Sequence, residues 1–307
     1  MGSDERNLTT GSLICDKYKI CEPIGKGGFG ICYAGEDLTT GEKVAIKLDS
    51  KTGNSKSSVL HEITIYRDYL KPINSCIPAI YWYGSQTQLG NVIVMQLLGP
   101  NLEKLFQLCD KKFSQKTIQM IAFQMIEIMK TIHSMGLIHR DIKPENFLLG
   151  SGIHSKRLFI IDFGLSKPYK DNQTGQHIDF NTTARMTGTL RYCSINANKG
   201  HEQSRRDDME SLAYIMAYLH LGSLPWQGIK VRQTISRQKA VQEIKETTPM
   251  KHLFKNASNV FVDFLFECKH LDFKEEPNYE IWRTRFGQLI DEFDYKYDWD
   301  RFGHNFD

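Results

Sequence analysis

Residues 139–146 read HRDIKPEN and set an imidazole, a guanidinium, two carboxylates, an ammonium and an amide within eight positions. The flanks are apolar, IMKTIHSMGLI before and FLLG after. Charges leave water at a steep cost unless they are paired, hydrogen-bonded or bound to an ion. A chain with this burst between oily flanks must therefore fold around a polar cleft whose groups meet each other or a ligand.

Its 307 residues are enough for two units of about 150 residues each. The formal charge of +3 comes from 39 Lys and Arg against 36 Asp and Glu, too small a bulk charge to argue for nucleic acid or a membrane surface. Seven cysteines are scattered without CxxC spacing, which excludes a zinc set and fits a reducing compartment. MGSDERNLTT has no apolar signal core, and Arg6 stands where a myristoylation motif needs Ser or Thr. The oiliest helical stretch, IQMIAFQMIEIMKTIH, is broken by Gln, Glu and Lys and is too short to span a bilayer. These features lead us to expect a soluble chain of the cytoplasm, with the nucleus as a second compartment open to it, and with no membrane anchor and no nucleic-acid partner.

Two textures divide the sequence. From Tyr18 to Leu97, β-rich runs alternate with turn residues: YKICEPIG, ICYAGEDL, KVAIKLD and NVIVMQLL. Between the third and fourth, SSVLHEITIYRDYL sets Leu60, Ile63, Tyr66 and Leu70 at helical spacing, predicting one helix. After Gly99-Pro100 the pattern turns helical, over 101–109, 114–135, 207–220 and 260–268. In the second of these, Ile118, Ile121, Met125, Ile128, Met129 and Ile132 form a stripe read as core. Strands first and helices second predict an α+β chain of two lobes joined near residues 96–101. The segment after Tyr295 is expected to pack on the surface.

GKGGFG at 25–30 has Gly25, Gly27 and Gly30 in GxGxxG spacing, which lets backbone amides approach phosphate oxygens with no Cβ in the way. A dinucleotide loop would run straight into a helix, whereas ICYAGEDL reads as a strand, so this loop joins two strands. Lys47 ends KVAIK inside an apolar run. Taken alone it would snorkel from an edge strand, but Glu62 on the following helix can hold the ammonium for the α- and β-phosphates of a nucleotide. Asp141 is suited to take a proton from an attacking hydroxyl, Lys143 to neutralise phosphoryl charge, and Asn146 to offer its amide oxygen to magnesium. His139 and Arg140 brace the loop. Asp162 follows four apolar residues in FIIDFGLSK and would complete an oxygen set for Mg2+ with Asn146 and phosphates.

GKGGFG, VAIK, Glu62, HRDIKPEN and DFG occur in order, and the set resembles that of eukaryotic protein kinases. The resemblance covers roughly residues 14–297, with a small β lobe at about 14–97, a helical lobe at about 101–297, an extension at 1–13 and a tail at 298–307. It implies a two-lobed fold with ATP between the lobes. In place of Ala-Pro-Glu the chain carries Ser194-Ile195-Asn196. With LLGPNLEKLF, NFLLG, GSLPWQGIK and RQK, this is similar to the casein kinase 1 family.

The resemblance implies a monomeric Ser/Thr protein kinase that uses ATP and Mg2+ and favours acidic or already phosphorylated protein substrates. Asp141, Lys143, Asn146, Lys47, Glu62 and Asp162 form its catalytic set. The nucleotide would lie against Ile24, Gly25, Lys26, Gly27, Gly28, Phe29, Gly30, Cys32, Ala45, Lys47, Met95, Leu98, Leu148 and Ile161. Asp208 would hold the catalytic loop from beneath. Arg191, with Arg185, Lys230 and Arg232, would supply a substrate anion site, and Arg140 could meet a phosphate on Thr182, Thr183, Thr187 or Thr189.

The chain departs from that family in several places. IKVRQTIS is two residues longer than usual, Ser236 precedes RQK where a Lys is usual, Lys104 replaces an Asp, Cys32 a larger aliphatic and Ala213 a Gly. Two alternatives stand beside the kinase reading: a catalytically silent scaffold of the same fold and, more remotely, a polyanion binder whose affinity would fall steeply with salt.

Overall fold

A computed structural model describes residues 10–27, 30–49, 57–70, 76–86, 89–230 and 235–303. Gly28, Phe29 and Arg232, named above as candidate site residues, lie outside these. The chain forms two compact units, one of Met1–Leu98 with Asp162–Gly164 and one of Gly99–Ile161 with Leu165–Asp307.

The first unit is an antiparallel sheet with one helix. Its strands are β1 (Leu13–Ile14), β2 (Tyr18–Gly27), β3 (Gly30–Asp37), β4 (Lys43–Leu48), β5 (Ile80–Gln86) and β6 (Gly90–Gln96), in spatial order β1-β2-β3-β4-β6-β5. The four strands expected from sequence are present. The short β1 and the edge strand β5, whose residues IYWYGSQ are all exposed or half-exposed, were not anticipated.

Side chains alternate across a strand with period two, and this decides where Lys47 points. Val44, Ile46 and Leu48 join Ile14, Tyr18, Ile20, Val92 and Val94 in one cluster. Ala45, with Ile93 and Met95, packs instead against Val59 and Ile63 of α1 (Ser58–Asp68). Lys47 shares the parity of Ala45 and so faces α1. On that helix Val59, Glu62, Ile63 and Tyr66 are buried, while Leu60 is 51% exposed. The buried face thus runs through 59, 62, 63 and 66, and an acid occupies the place an apolar residue would normally take.

The second unit is mainly helical. α2 (Leu102–Leu108), α3 (Gln115–Ser134), α4 (Ile195–Lys199), α5 (Arg205–Leu221), α6 (Arg237–Thr247), α7 (Met250–Leu253), α8 (Asn259–His270) and α9 (Tyr279–Gly287) surround the small ladders β7 (Leu137–Ile138) with β10 (Lys167–Pro168) and β8 (Phe147–Leu149) with β9 (Leu158–Ile160). Capping side chains fix the starts. Asn101 accepts from the Lys104 amide, Ser114 from Thr117, Ser194 from Ala197 and Ser236 from Lys239. Ser236 therefore has a structural use as the N-cap of α6. The stripe Ile118, Ile121, Met125, Ile128, Met129 and Ile132 is buried throughout, as read from its spacing. No helix among the described residues is long and apolar enough to cross a membrane.

The end of the chain differs from expectation. Tyr297 and Trp299 are buried and stack at 4.5 Å, and Trp299 also meets Phe113 at 5.3 Å. Asp298 accepts from the Ser114 amide at 2.5 Å, capping the start of α3. Two large aromatic groups and a cap outweigh the polar composition that suggested a surface segment.

Candidate active site

In the first unit, Lys47 Nζ donates to Glu62 Oε2 at 2.5 Å and to Asp162 Oδ1 at 2.8 Å. The other Glu62 oxygen accepts from the Phe163 amide at 3.2 Å, and the buried Phe163 ring meets Tyr66 edge-on at 5.4 Å. Burial by itself would push the Lys47 ammonium down, but the Glu62 and Asp162 carboxylates outweigh it and hold it well above the ordinary lysine range. Burial pushes the Glu62 carboxyl up, against the pull of Lys47. Asp162 adopts φ +70, a left-handed backbone that Asp tolerates better than most residues. This turn delivers its carboxylate to Lys47 directly after the buried strand residues.

The glycine-rich stretch lies on paired strands, with Gly27 opposite Gly30, so it joins two strands as expected. A Cβ at Gly30 would stand 2.2 Å from the Leu48 carbonyl oxygen, so packing alone requires glycine there. A Cβ at Gly25 or Gly27 would meet nothing within 4 Å. Both are exposed, and packing among the described residues does not account for them. Such a bare backbone suits close approach by phosphate oxygens. Ala45 pairs with Met95 across β4 and β6, and Cys32 with Lys47 across β3 and β4. Ile24 is 40% exposed, Gly25 and Lys26 are exposed, and Leu98 is half-buried. Burial pushes the Cys32 thiol up to about 11, despite the opposing Lys47.

In the second unit, Asp141 is buried and doubly held. Its Oδ2 accepts from Lys143 Nζ at 2.6 Å and its Oδ1 from the Thr189 hydroxyl at 2.7 Å. Asn146 Nδ2 donates to the Asp141 carbonyl at 2.9 Å, which turns the amide oxygen away as a possible cation ligand. Beneath the loop, Asp208 accepts from the His139 amide at 2.7 Å and the Arg140 amide at 2.9 Å. Its Oδ2 also meets His133 Nε2 at 3.0 Å, and His133 Nδ1 meets the Tyr279 hydroxyl at 2.7 Å. Burial would raise the Asp208 carboxyl, but His133 and the loop amides hold it below the ordinary range. His139 Nε2 donates to the Ile161 carbonyl, so Nδ1 is free to accept the Asp141 amide, and this tautomer locks the loop. Leu148 on β8 and Ile161 after β9 are half-buried.

The remaining candidates are placed differently. Arg140, at φ +66, donates Nε to the Leu165 carbonyl and is largely buried, and Thr189 is engaged with Asp141. Arg191 lies over the rings of Tyr192 and Tyr218 at 5.6 and 5.8 Å, whereas Arg185 and Lys230 are exposed. His133 and Tyr279 were not singled out from sequence, and Thr189 was named only as one of four threonines that could carry a phosphate. Nothing distinguishes Thr189 from its neighbouring threonines except the residue it touches.

No group of three or more His, Cys, Asp or Glu side chains that could hold a metal occurs among the described residues. A divalent ion held by one or two side-chain oxygens would thus need phosphate oxygens to complete its shell, which is the habit of Mg2+. Comparison with known families agrees with the geometry. The protein kinase domain family matches residues 18–281, most of the chain. The chain belongs to the protein kinase family, with a two-lobed α+β fold.

Proposed function

We propose that this protein kinase is a serine/threonine kinase of the casein kinase 1 type. The observation that carries this reading is the Asp141 carboxylate, held by Lys143 on one oxygen and by the Thr189 hydroxyl on the other. Asp141 orients the acceptor hydroxyl and takes its proton as the oxygen bonds to the γ-phosphorus of ATP and the bond to the β-phosphate oxygen breaks. Lys143 neutralises charge on the transferred group, and Lys47, set by Glu62, holds the α- and β-phosphates. Asp162 and Asn146 would hold Mg2+, which when bound offsets phosphate charge. The bare backbone at Gly25 and Gly27 supports phosphate binding there. A preference for acidic or phosphorylated substrates rests on Arg191, with Arg185, Lys230 and Arg232 as helpers. Lys104 is exposed and adds positive charge where the resembled family has Asp.

Asp162→Asn tests the assignment. It removes one metal ligand and one partner of Lys47, so transfer from ATP to dephosphorylated casein should fall on the order of 10²–10⁴-fold while the fold persists by circular dichroism. Undiminished turnover in this variant would overturn the catalytic assignment. Wild-type protein that consumes no ATP with casein at any Mg2+ concentration would favour the scaffold. A peptide array comparing acidic with phosphorylated upstream positions tests the substrate preference.

A further inference from the structure

We propose that Lys245 of α6 is the positioning residue that fixes the acceptor-side segment 189–198 beneath Asp141. The inference rests on the kinase reading above and assigns this role to a residue far from the catalytic motifs in sequence. Along RQKAVQEIKET only Val241 and Lys245 are buried, one helical turn apart on the same face. Lysine is almost never fully buried without a partner, and Lys245 is 1% exposed.

Its partners account for that burial. Nζ donates to the Leu190 carbonyl at 2.9 Å, the Cys193 carbonyl at 2.6 Å and Asn198 Oδ1 at 2.8 Å. Three oxygen acceptors match the three protons of an ammonium, Cys193 Sγ lies further off at 3.8 Å, and the rings of Tyr214 and Trp226 lie 5.3 and 5.5 Å from the nitrogen. None of these partners is a carboxylate. The charge is spent on two backbone carbonyls and one side-chain amide oxygen of a single segment, which a methyl or hydroxyl group in its place could not gather.

That segment leads directly to the reaction centre. Leu190 follows Thr189, whose hydroxyl holds Asp141 and whose carbonyl accepts from the Tyr192 and Cys193 amides. The C-terminal part of the segment has independent anchors: Ser194 donates to Asp207 and the Ile195 amide donates to Glu210, whereas the turn itself keeps one other tie, from Trp226 Nε1 to the Arg191 carbonyl. Loss of the ammonium should therefore loosen the turn at 189–193 and leave α4 and α5 in place. The effect should fall on recognition of the protein acceptor, with ATP binding spared.

The experiment is steady-state kinetics of full-length Lys245→Met against wild type, with one phosphorylatable peptide and ATP varied in turn. Methionine keeps the stem and volume but has no donors. The KM for peptide should rise about tenfold or more, with KM for ATP within about twofold. Hydrogen exchange at the 190–193 amides should quicken, with α5 unchanged. If Lys245→Met does not fold, Asn198→Ala removes one acceptor and should raise the peptide KM in the same direction, about threefold. Equal peptide KM in variant and wild type, or KM for ATP rising as much as that for peptide, overturns the proposal. Wild type that phosphorylates nothing would sink the kinase reading itself, a result separate from either of these.

Discussion

Lys47 carries its charge where a lysine alone would not stay, and the two carboxylates that hold it also shape its neighbours. Cys32, opposite Lys47 on β3, has a thiol pushed up to about 11 by burial, with Lys47 opposing and Glu62 and Asp162 reinforcing the rise. A raised thiol pKa means less thiolate, the reactive form, at neutral pH. Relative to an ordinary thiol near 8.5, the thiolate fraction should be smaller on the order of 10²-fold. Site-resolved iodoacetamide labelling should therefore modify exposed Cys15 far sooner than Cys32. The Cys32 rate should climb about tenfold per pH unit through pH 10 without levelling. A Cys32 rate that levels near pH 8.5 would show that burial does not govern the site. The Lys47–Glu62 pair was legible in sequence because each residue violates its own pattern, a lysine in an apolar strand and an acid on a helix's inward face. Thr189 violates nothing, and Lys245 sits in a helix whose polar composition reads as solvated. Only three-dimensional contact separates them from their neighbours.

At the level of elements, period two on β4 and the 3.6-residue repeat of α1 bring Lys47 and Glu62 together, and the N-terminal turn of α5 brings Asp208 to the His139 and Arg140 amides. Strand and helix patterns of this kind are readable from sequence where one face is buried. The edge strand β5 has no fully buried face, so its alternation carried no signal. Contacts between loops are less visible still. Gly188 has φ +99, and a Cβ there would stand 2.3 Å from the Arg140 carbonyl oxygen. Gly188→Ala must push the strand of chain leading to Thr189 away from the loop that bears Asp141. A displacement near 1 Å at a reacting group can cost about 10²-fold, so kcat for peptide should drop by about that factor. The backbone strain should also lower stability by roughly 1–3 kcal/mol. Urea unfolding and initial rates on the same preparation check both. A variant with wild-type kcat would mean that this close approach does not position Thr189.

The match to the protein kinase domain ends at residue 281, inside α9, but the core of the second unit continues beyond it. Trp282, Phe286, Tyr297 and Trp299 are all buried. The sequence beyond 295 could not reveal this, because charged residues alternate with aromatic ones at no helical or strand period. What holds the segment is long-range: Trp299 against Phe113, the Tyr297 hydroxyl with Gln124, and Asp298 on the Ser114 amide at the start of α3. α3 in turn carries His133, which meets Asp208, the acceptor of the His139 and Arg140 amides. The end of the chain is thus linked through one helix to the support of Asp141. Trp299→Ala should leave a large cavity and cost about 3–5 kcal/mol of stability, whereas Trp299→Phe, which keeps a ring, should cost less. A chain ending at Lys296 should lose at least as much as Trp299→Ala, because the Asp298 cap goes with the two rings. Urea denaturation followed by tryptophan fluorescence and by circular dichroism measures each loss. If the shortened chain unfolds at the wild-type urea concentration, residues 297–302 are an appendage and the linkage through α3 does not exist. If instead stability falls and kcat falls with it below the midpoint of unfolding, the tail supports the catalytic loop as well as the fold.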